Sequence, residues 1–346
     1  MKRALVISGG GSKGAFAVGV IKRLQREYPE LEFDIFVGTS TGSLMAPLVA
    51  LGEMDMLENF YTNKKTEDIV ITGNLGDRIG ELSIFDTTPL QELVVNNYPD
   101  QRYAALLATG KKIFLNTVCL QTGDLVVFTN DTHPKQGEYY GVRTLVSGDH
   151  FRRAIMASAS QPVFMPPIRV NLKVPGELHP QYQFVDGGVR EYAGVQIAID
   201  NGATEIFTIL LSSGQPDKDD SSRTNLFGIL EKTIDIFIDD VGVNDLVLPH
   251  QYNQALKYIE QVKNNLKQSG MTDAAVNEFF RTPAFENPFQ DKAPLKIYTI
   301  RPDGPLGGGA GGLAFDPVVQ KMMVKKGEAA GDDFVASLNP GDITWA

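Results

Sequence analysis

The sequence predicts an α/β fold of three layers, α/β/α, in which helices cover both faces of a mainly parallel central sheet. Two strand–turn–helix units follow one another at the start of the chain. The first has a strand over residues 4–8 and a helix over 14–28, and the second has a strand over 33–37 and a helix over 42–51. Successive units of this kind favour parallel strands. With 346 residues, of which 42% are hydrophobic, the chain can bury a substantial core.

The remaining elements are predicted from the same local patterns and from turn residues. Residues 53–98 are more charged and carry no convincing strand, so they predict a helical cap or insertion over the sheet. Strands are predicted over 112–119, 124–129, 182–185, 204–211 and 297–300, and helices over 149–158, up to Asp200, over 225–268 with a break near Gly242 to Asn244, and over 316–338. The six glycines of Gly304–Gly312 predict a flexible surface loop. Because no linker interrupts the pattern, a single domain is expected over residues 1–346.

Composition excludes several classes of protein. The net charge of −10 argues against a nucleic-acid-binding protein, which would carry a basic face. The single cysteine, Cys119, cannot form an intramolecular disulfide and fits a reducing compartment. No apolar run approaches the roughly 18–20 residues of a membrane helix, and the short run at the start leads into a glycine loop, not a signal-peptide cleavage site. We therefore expect a cytoplasmic protein, one that could still touch a membrane surface transiently through an apolar patch.

A glycine-rich loop follows the first strand. Gly9, Gly11 and Gly14 form the pattern G-x-G-x-x-G. A dinucleotide site with this pattern also needs an acidic residue at the end of the second strand, and that strand ends at Gly38. The loop is not a phosphate-binding P-loop either, because its lysine follows a serine instead of a glycine. Backbone N–H groups at a helix N-terminus nevertheless stabilise negative charge, and an oxyanion is one such charge.

The pattern G-x-S-x-G occurs twice, around Ser12 and around Ser40. In α/β hydrolases this pattern forms a nucleophile elbow, a tight turn between a strand and a helix in which the glycines let the backbone pack closely. Ser40 has that context, since a strand precedes Gly38 and a helix of small residues follows Gly42. Ser12 follows three glycines, which suit backbone donors better than an elbow. Ser40 is therefore the candidate nucleophile, with helix N-cap as its alternative role.

The segment Asp186-Gly187-Gly188 follows the strand predicted over 182–185. By itself, Asp-Gly is a turn signal. A serine nucleophile also needs a base within hydrogen-bond reach, and that base is usually a histidine. None of the four histidines stands in a recognisable motif at a strand end: His133, His150, His179 and His250. From these residues alone, Asp186 is either a turn residue or the base.

The three motifs together resemble those of the patatin-like phospholipases in both order and spacing. They are Gly9–Gly14, Gly38–Gly42 and Asp186–Gly188. Ala157–Pro167 resembles the segment that leads to the family's aspartate. Two positions depart from the family pattern, since Lys13 replaces a common arginine and Tyr192-Ala193-Gly194 replaces a common Asn-x-Pro.

The resemblance implies a patatin-like core formed by residues 1–50 and 150–212, where the similarity is good. The similarity is looser between these segments and poor in the C-terminal third. On this basis we expect a helical cap over 53–98 and a helical C-terminal elaboration over 225–346 within the single domain. An apolar channel for the substrate is expected from 53–98 or 225–268.

The resemblance also implies a catalytic dyad, in which Ser40 attacks an acyl ester and Asp186 acts as the base without a histidine. A solvated aspartate has a pKa of about 3.9 and is a weak base at neutral pH, so we expect a site that excludes water and raises this pKa. The other implied residues lie in the glycine loops: the N–H groups of Gly9, Gly10, Gly11 and Ser12 as an oxyanion hole, with Lys13, Gly14, Gly38, Gly42, Gly187 and Gly188 in support. Neither a metal nor another cofactor is implied.

The expected function is hydrolysis of carboxyl esters in lipids or phospholipids through an acyl-Ser40 intermediate, with a lipid or another fatty-acyl ester as substrate. An acyltransferase or thioesterase that uses the same serine stays open, because the sequence does not distinguish water from another acyl acceptor. A catalytically quiet protein that binds lipid or docks a partner is the alternative from another class, and the intact Ser40, Asp186 and glycine loop count against it. Oligomeric state and export as an effector that needs an activator also stay open.

Overall fold

The computed structural model describes residues 2–72, 80–214, 222, 224, 226–281, 289, 292–339, 342 and 343. The strands among them are β1 (Arg3–Ile7), β2 (Ile35–Thr39), β3 (Ile71–Thr72), β4 (Phe85–Asp86), β5 (Lys112–Cys119), β6 (Leu125–Thr129), β7 (Gly141–Thr144), β8 (Phe184–Asp186), β9 (Glu205–Ile209) and β10 (Lys296–Ile300). Eight of these strands form one sheet in the order β10-β9-β1-β2-β5-β6-β7, with β8 also paired to β5.

Most of this sheet is parallel. Strands β10, β9, β1, β2 and β5 run parallel to one another. Strands β6 and β8 run antiparallel to β5, and β7 runs parallel to β6. The mainly parallel sheet predicted from the sequence is therefore confirmed.

Helices lie on both faces of the sheet. They are α1 (Gly14–Glu27), α2 (Thr41–Ala50), α3 (Met54–Thr62), α4 (Thr88–Asn97), α5 (Asp100–Ala108), α6 (Gly148–Ser158), α7 (Val195–Asp200), α8 (Leu226–Gln268), α9 (Asp273–Phe279) and α10 (Pro317–Ser337). No helix in the described part of the chain is both long enough and apolar enough to cross a membrane.

The central strand β1 shows why there are three layers. All five of its residues are buried, as is typical of a strand covered on both faces. Leu5 belongs to a core that it shares with Phe16 of α1, whereas Val6 belongs to a second core that includes Ile197 of α7. Because successive side chains of a strand point to opposite faces, this alternation fills one core on each side of the sheet.

The C-terminal helix α10 returns to the start of the chain and packs against α1. A Cβ atom built on Gly19 would lie 2.0 Å from the Val324 oxygen, and one built on Gly327 would lie 2.0 Å from the Phe16 oxygen. Glycine at these two positions therefore lets the two helix backbones touch. The helix predicted over 316–338, as one helix or two, is one continuous helix.

One expectation for the middle of the chain is wrong, and two elements there were not predicted. The region 53–98 does contain α3 and α4, but it also contains the antiparallel pair β3–β4, with Ile71 opposite Asp86. Each of these strands has only two residues, too few for an alternating pattern to be read. The short edge strand β7 and helix α5 were also not predicted, and residues 73–79 of the cap lie outside the described residues.

Two expectations for the C-terminal region are corrected as well. Helix α8 runs without the break predicted near Gly242 to Asn244, although residue 225, where this region was expected to begin, lies outside the described residues. Gly304–Gly312 is more than a surface loop, because it reaches back to the glycine loop after β1. A Cβ atom on Gly11 would lie 2.3 Å from the Gly312 oxygen, and one on Gly312 would lie 2.2 Å from the Gly10 oxygen.

Candidate active site

Ser40 lies in a tight turn between β2 and α2. Its φ of 55° and ψ of −123° place it in a backbone region that residues other than glycine rarely adopt. Its N–H donates to the Ser158 hydroxyl at 3.1 Å, and its carbonyl oxygen accepts from the Ser43 hydroxyl at 2.6 Å. The strained conformation of a nucleophile elbow is therefore held from both sides.

Two glycines permit the close packing around this turn. A Cβ atom on Gly38 would lie 2.4 Å from the Gly42 oxygen, and one on Gly42 would lie 2.1 Å from the Ile7 oxygen at the end of β1. A larger residue at either position would push α2 away from the two central strands. The elbow thus depends on the glycines on both sides of Ser40.

Asp186 stands at the end of β8 and is only 6% exposed. Strand β2 pairs with β5 as far as Asn116, and β8 pairs antiparallel with the rest of β5, with Asp186 opposite Thr117. Strand β6 occupies the other side of β5. The carboxyl ends of β2 and β8 therefore meet beside the middle of β5, which brings Ser40 and Asp186 together.

The Ser40 side chain lies close enough to the Asp186 carboxylate to lower the pKa of that group. The same carboxylate accepts the N–H of Gly188 at 2.8 Å. Burial raises the pKa of Asp186 from its ordinary value of 3.8 to about 6, although the Ser40 side chain and the Gly188 N–H act in the opposite direction. At neutral pH this arrangement places an ionised, poorly hydrated carboxylate against a hydroxyl, as proton transfer requires.

The loop after β1 lies against Ser40. A Cβ atom on Gly9 would be 3.1 Å from the Ser40 Cβ. The N–H of Gly9 donates to the Tyr192 oxygen at 3.4 Å. Gly10 and Gly11 have φ values of 149° and 56°, and their N–H groups make no hydrogen bond with any described residue. The oxyanion-hole role of Gly9, Gly10, Gly11 and Ser12 stays a prediction, and Gly9 differs from Gly10 and Gly11 in that its N–H has an acceptor within the protein.

The other predicted residues of this loop lie at the start of α1. Ser12 is fully buried, and its hydroxyl has no hydrogen-bond partner in the described structure. Lys13 ends a 3-10 turn over Gly11–Lys13, and Gly14 begins α1. A Cβ atom on Gly14 would lie 2.5 Å from the Tyr61 ring, so the loop can approach the cap only with glycine there.

The loop after Asp186 is equally tight. A Cβ atom on Gly187 would lie 2.5 Å from the Asn116 oxygen of β5. Gly187–Val189 form a 3-10 turn that begins at Asp186. Gly187 therefore fixes the turn against the sheet, and Gly188 supplies the N–H that Asp186 accepts.

An apolar pocket with a cavity volume of about 80 Å³ lies beside Ser40 and opens to solvent. Its walls come from the predicted cap over 53–98, from α2, from the segment between α6 and β8, and from residues 311–315. The lining residues include Leu44, Phe60, Tyr61, Lys64, Ile69, Leu90, Leu93, Val94, Tyr98, Met165, Gly311, Leu313 and Phe315. Among the described lining residues there is no histidine and none from 225–268, so of the two predicted sources of the channel only 53–98 contributes.

Sequence reasoning missed three contributors to this site. The first is the segment 311–315, which is tied to the cap because the Phe315 N–H donates to the Thr66 hydroxyl at 2.9 Å. The second is Ser158, whose hydroxyl holds the Ser40 N–H, and the third is Tyr192, whose oxygen holds Gly9. The clustered glycines of 304–312 were the available signal for the first, since closely packed backbone also needs glycine.

Comparison with known proteins gives the chain a family. The sequence profile of the family described as patatin-like phospholipase matches residues 5–199, more than half of the chain and including Ser40 and Asp186. The match ends before β9, so the C-terminal third lies outside it.

Two individual proteins are also similar. The cUMP-AMP-activated phospholipase of Escherichia coli is 41% identical over 64 residues, which cover 17% of this chain and 20% of that protein. The match thus spans about a fifth of that protein's length. The crystal structure of VipD from Legionella pneumophila aligns with 97% of this chain and 67% of that chain, at 13% identity and a TM-score of 0.45. On the extent of the profile match, this chain belongs to the patatin-like phospholipase family.

Proposed function

We propose that this protein hydrolyses carboxyl esters of phospholipids or lysophospholipids, with Ser40 as nucleophile and Asp186 as base. The observation that carries the proposal is the placement of Ser40 at a strained turn beside an apolar pocket, close enough to the buried Asp186 carboxylate for its side chain to lower the pKa of that group. A hydroxyl, a base of raised pKa and a place for an acyl chain are the three parts that acyl transfer through serine needs.

The first half of the reaction forms the acyl-enzyme. Ser40 Oγ attacks the ester carbonyl carbon while its proton passes to the Asp186 carboxylate. The N–H groups of Gly10 and Gly11, with that of Ser12, stabilise the negative charge that develops on the carbonyl oxygen. The intermediate then collapses, the bond to the alcohol breaks, and the proton on Asp186 goes to the departing alkoxide.

The second half restores the enzyme. A water molecule attacks the acyl-Ser40 carbonyl and gives a proton to Asp186. The same N–H groups stabilise the second oxyanion. When the bond to Ser40 Oγ breaks, the proton returns to that oxygen and the fatty acid leaves. No group outside the Ser40–Asp186 pair has to move a proton.

The pocket supports an acyl chain as the buried part of the substrate. Its lining is almost wholly apolar, and each methylene removed from water contributes about 0.8 kcal/mol. The hydroxyls of Tyr61 and Tyr98, which also line it, are bonded to Thr41 and to the Leu44 oxygen, so they do not add unpaired polar groups to the wall. An aliphatic chain therefore fits this wall better than a polar group does.

The first prediction is a dependence of turnover on acyl length. With p-nitrophenyl esters and calcium chelated, kcat/KM should rise about fourfold per added methylene until the pocket is filled, since about 0.8 kcal/mol per methylene is about fourfold in rate. The assay should run with and without cUMP-AMP, because the Escherichia coli relative is named for activation by that compound.

The products of the same assay separate the alternatives. Free fatty acid from a phospholipid in micelles supports hydrolysis, whereas acyl product on added glycerol or lysophospholipid supports an acyltransferase. A fluorophosphonate probe should label the peptide that contains Ser40. Absence of both turnover and label, with and without the nucleotide, would contradict the proposal and favour a binding protein.

The second prediction concerns pH. Since Asp186 must be ionised to accept the proton and its pKa is about 6, kcat/KM should rise through about pH 6 and stay level above pH 7. At pH 5 it should be about a tenth of the plateau value. Initial rates in overlapping buffers test this, with each pH preincubated as a control for unfolding. A flat profile from pH 5 to 8 would argue against Asp186 as the base.

A further inference from the structure

Helix α8, which lies outside the region matched to the family, contacts the loop that follows Asp186. One carboxylate oxygen of Asp245 accepts two backbone N–H groups of that loop, from Tyr192 and, at 3.3 Å, from Ala193. Two N–H groups on one oxygen fix the direction of the backbone at this point, because both must point at the same atom.

Tyr192 extends this contact to the glycine loop beside Ser40. Its carbonyl oxygen accepts the N–H of Gly9 at 3.4 Å. Its ring lies against α8 at Gly242, where a Cβ atom would be 2.7 Å from the ring. Gly242 and Asp245 are three residues apart and so lie on one face of α8. The helix therefore holds both the ring and the backbone of the residue that supports Gly9.

The loop is closed by a second carboxylate. Glu191 accepts the Gly194 N–H at 2.7 Å, and Gly194 has a φ of 85° that favours glycine. Burial raises the pKa of Glu191 to about 8, with the charge of Asp245 adding to the rise. Burial also raises the pKa of Asp245 to about 6, against the effect of its two N–H partners. No described cation pairs with Asp245, so backbone N–H groups alone compensate its charge.

We infer that Asp245 is a positioning residue for ester hydrolysis: it fixes the loop from Asp186 to Gly194 and, through Tyr192, holds Gly9 against Ser40. The kinetic test of this inference rests on the proposed function, whereas its hydrogen-exchange test rests on the structure alone. Removing the carboxylate leaves two buried N–H groups without an acceptor, so the loop must rearrange to reach water. A small displacement of a catalytic group lowers the rate far more than it lowers binding.

The kinetic test compares Asp245→Ala with Asp240→Asn. Asp240 is exposed on the same helix, and its carboxylate accepts a hydrogen bond from the Asn244 side chain at 3.3 Å. Asp245→Ala should lower kcat about 10- to 100-fold and leave KM within about threefold, because no α8 residue lines the pocket in the described structure. Asp245→Asn keeps an acceptor oxygen and should recover most of the loss. Asp240→Asn should match the wild type.

Hydrogen exchange gives a readout that does not depend on activity. The amides of residues 187–194 should exchange faster in Asp245→Ala than in the wild type or in Asp240→Asn, with each variant held well below its melting temperature. Should Asp245→Ala not fold, Gly242→Ala is the second variant, since its methyl group would displace the Tyr192 ring and should lower kcat in the same way.

The outcomes are distinct. A folded Asp245→Ala with a lower melting temperature but wild-type kcat and wild-type exchange in 187–194 would overturn the inference and leave an ordinary helix contact. A wild type inactive on every ester would contradict the proposed function, whereas faster exchange of the loop in Asp245→Ala would still support the fixing of the loop by Asp245.

Discussion

Ser40→Ala is expected to lower kcat for ester hydrolysis by 10⁴-fold or more, on the order of the loss seen when a serine nucleophile is removed. The expectation follows because the substitution removes the only atom that forms the acyl-enzyme, while the N–H groups of Gly10 and Gly11 can still polarise a bound ester. The loss corresponds to about 5.5 kcal/mol of transition-state stabilisation. Steady-state rates with a long-chain p-nitrophenyl ester and fluorophosphonate labelling measure it.

The matched comparison is Ser12→Ala, at the other G-x-S-x-G. The Ser12 hydroxyl is buried without a partner, and the substitution keeps the N–H of that residue. We expect its rate to stay within about tenfold of the wild type, since no hydrogen bond is lost. Activity retained by Ser40→Ala, or lost equally in both variants, would contradict the assignment of Ser40 as nucleophile.

Asp186→Asn should lower kcat about 10³- to 10⁴-fold, because an amide accepts no proton from Ser40. The amide oxygen can still accept the Gly188 N–H, so the turn after β8 should be kept. This large drop in kcat with an unchanged KM is the expected pattern for the loss of a base. An Asp186→Asn variant with more than a tenth of the wild-type kcat would show that another group takes the proton.

The same variant should be more stable than the wild type at high pH. The folded pKa of Asp186, about 6, lies above its ordinary value of 3.8, so the folded state holds the proton more tightly than the unfolded state does. The unfavourable contribution of the ionised group therefore grows as pH rises from about 4 to about 6 and is constant above. About two pKa units correspond to about 3 kcal/mol.

Denaturant unfolding at two pH values measures this effect. Asp186→Asn should raise the free energy of unfolding by up to about 3 kcal/mol at pH 8, and the gain should shrink towards pH 4. Equal unfolding curves at pH 8 would mean that burying this carboxylate costs nothing. A stable, inactive variant would also exclude unfolding as the cause of lost activity.

The sequence predicted best those parts of the fold whose signals are local. Strands β1 and β2 are short apolar runs that stop at glycine, and each leads to a helix, so both their existence and their parallel pairing could be inferred. Strand β7 and the pair β3–β4 could not, because two to four residues at an edge carry no periodic signal. The predicted break in α8 failed for another reason: Gly242 serves contact with Tyr192 and does not end the helix.

For the candidate site too, the residues with a local sequence signal could be predicted and the long-range contacts could not. Ser40 and the glycines beside it could be found from spacing, since the tight turn dictates residue types at fixed offsets. The hydrogen bond from the Gly9 N–H to the Tyr192 oxygen could not be found, because Tyr192 is far away in sequence. The division of the chain into core, cap and C-terminal elaboration stays a prediction.

The place of β1 in the middle of the sheet has a consequence for folding. One edge of β1 pairs with β2, which follows it closely in the sequence. The other edge pairs with β9, far along the chain, where Arg3 lies opposite Glu205. The glycine loop after β1 is also packed against Gly312, which approaches Gly10 and lies still farther along the chain. Contacts of such long sequence separation form slowly. The loop that lies beside Ser40 is therefore completed only by residues made late in synthesis, from β9 and from the segment around Gly312.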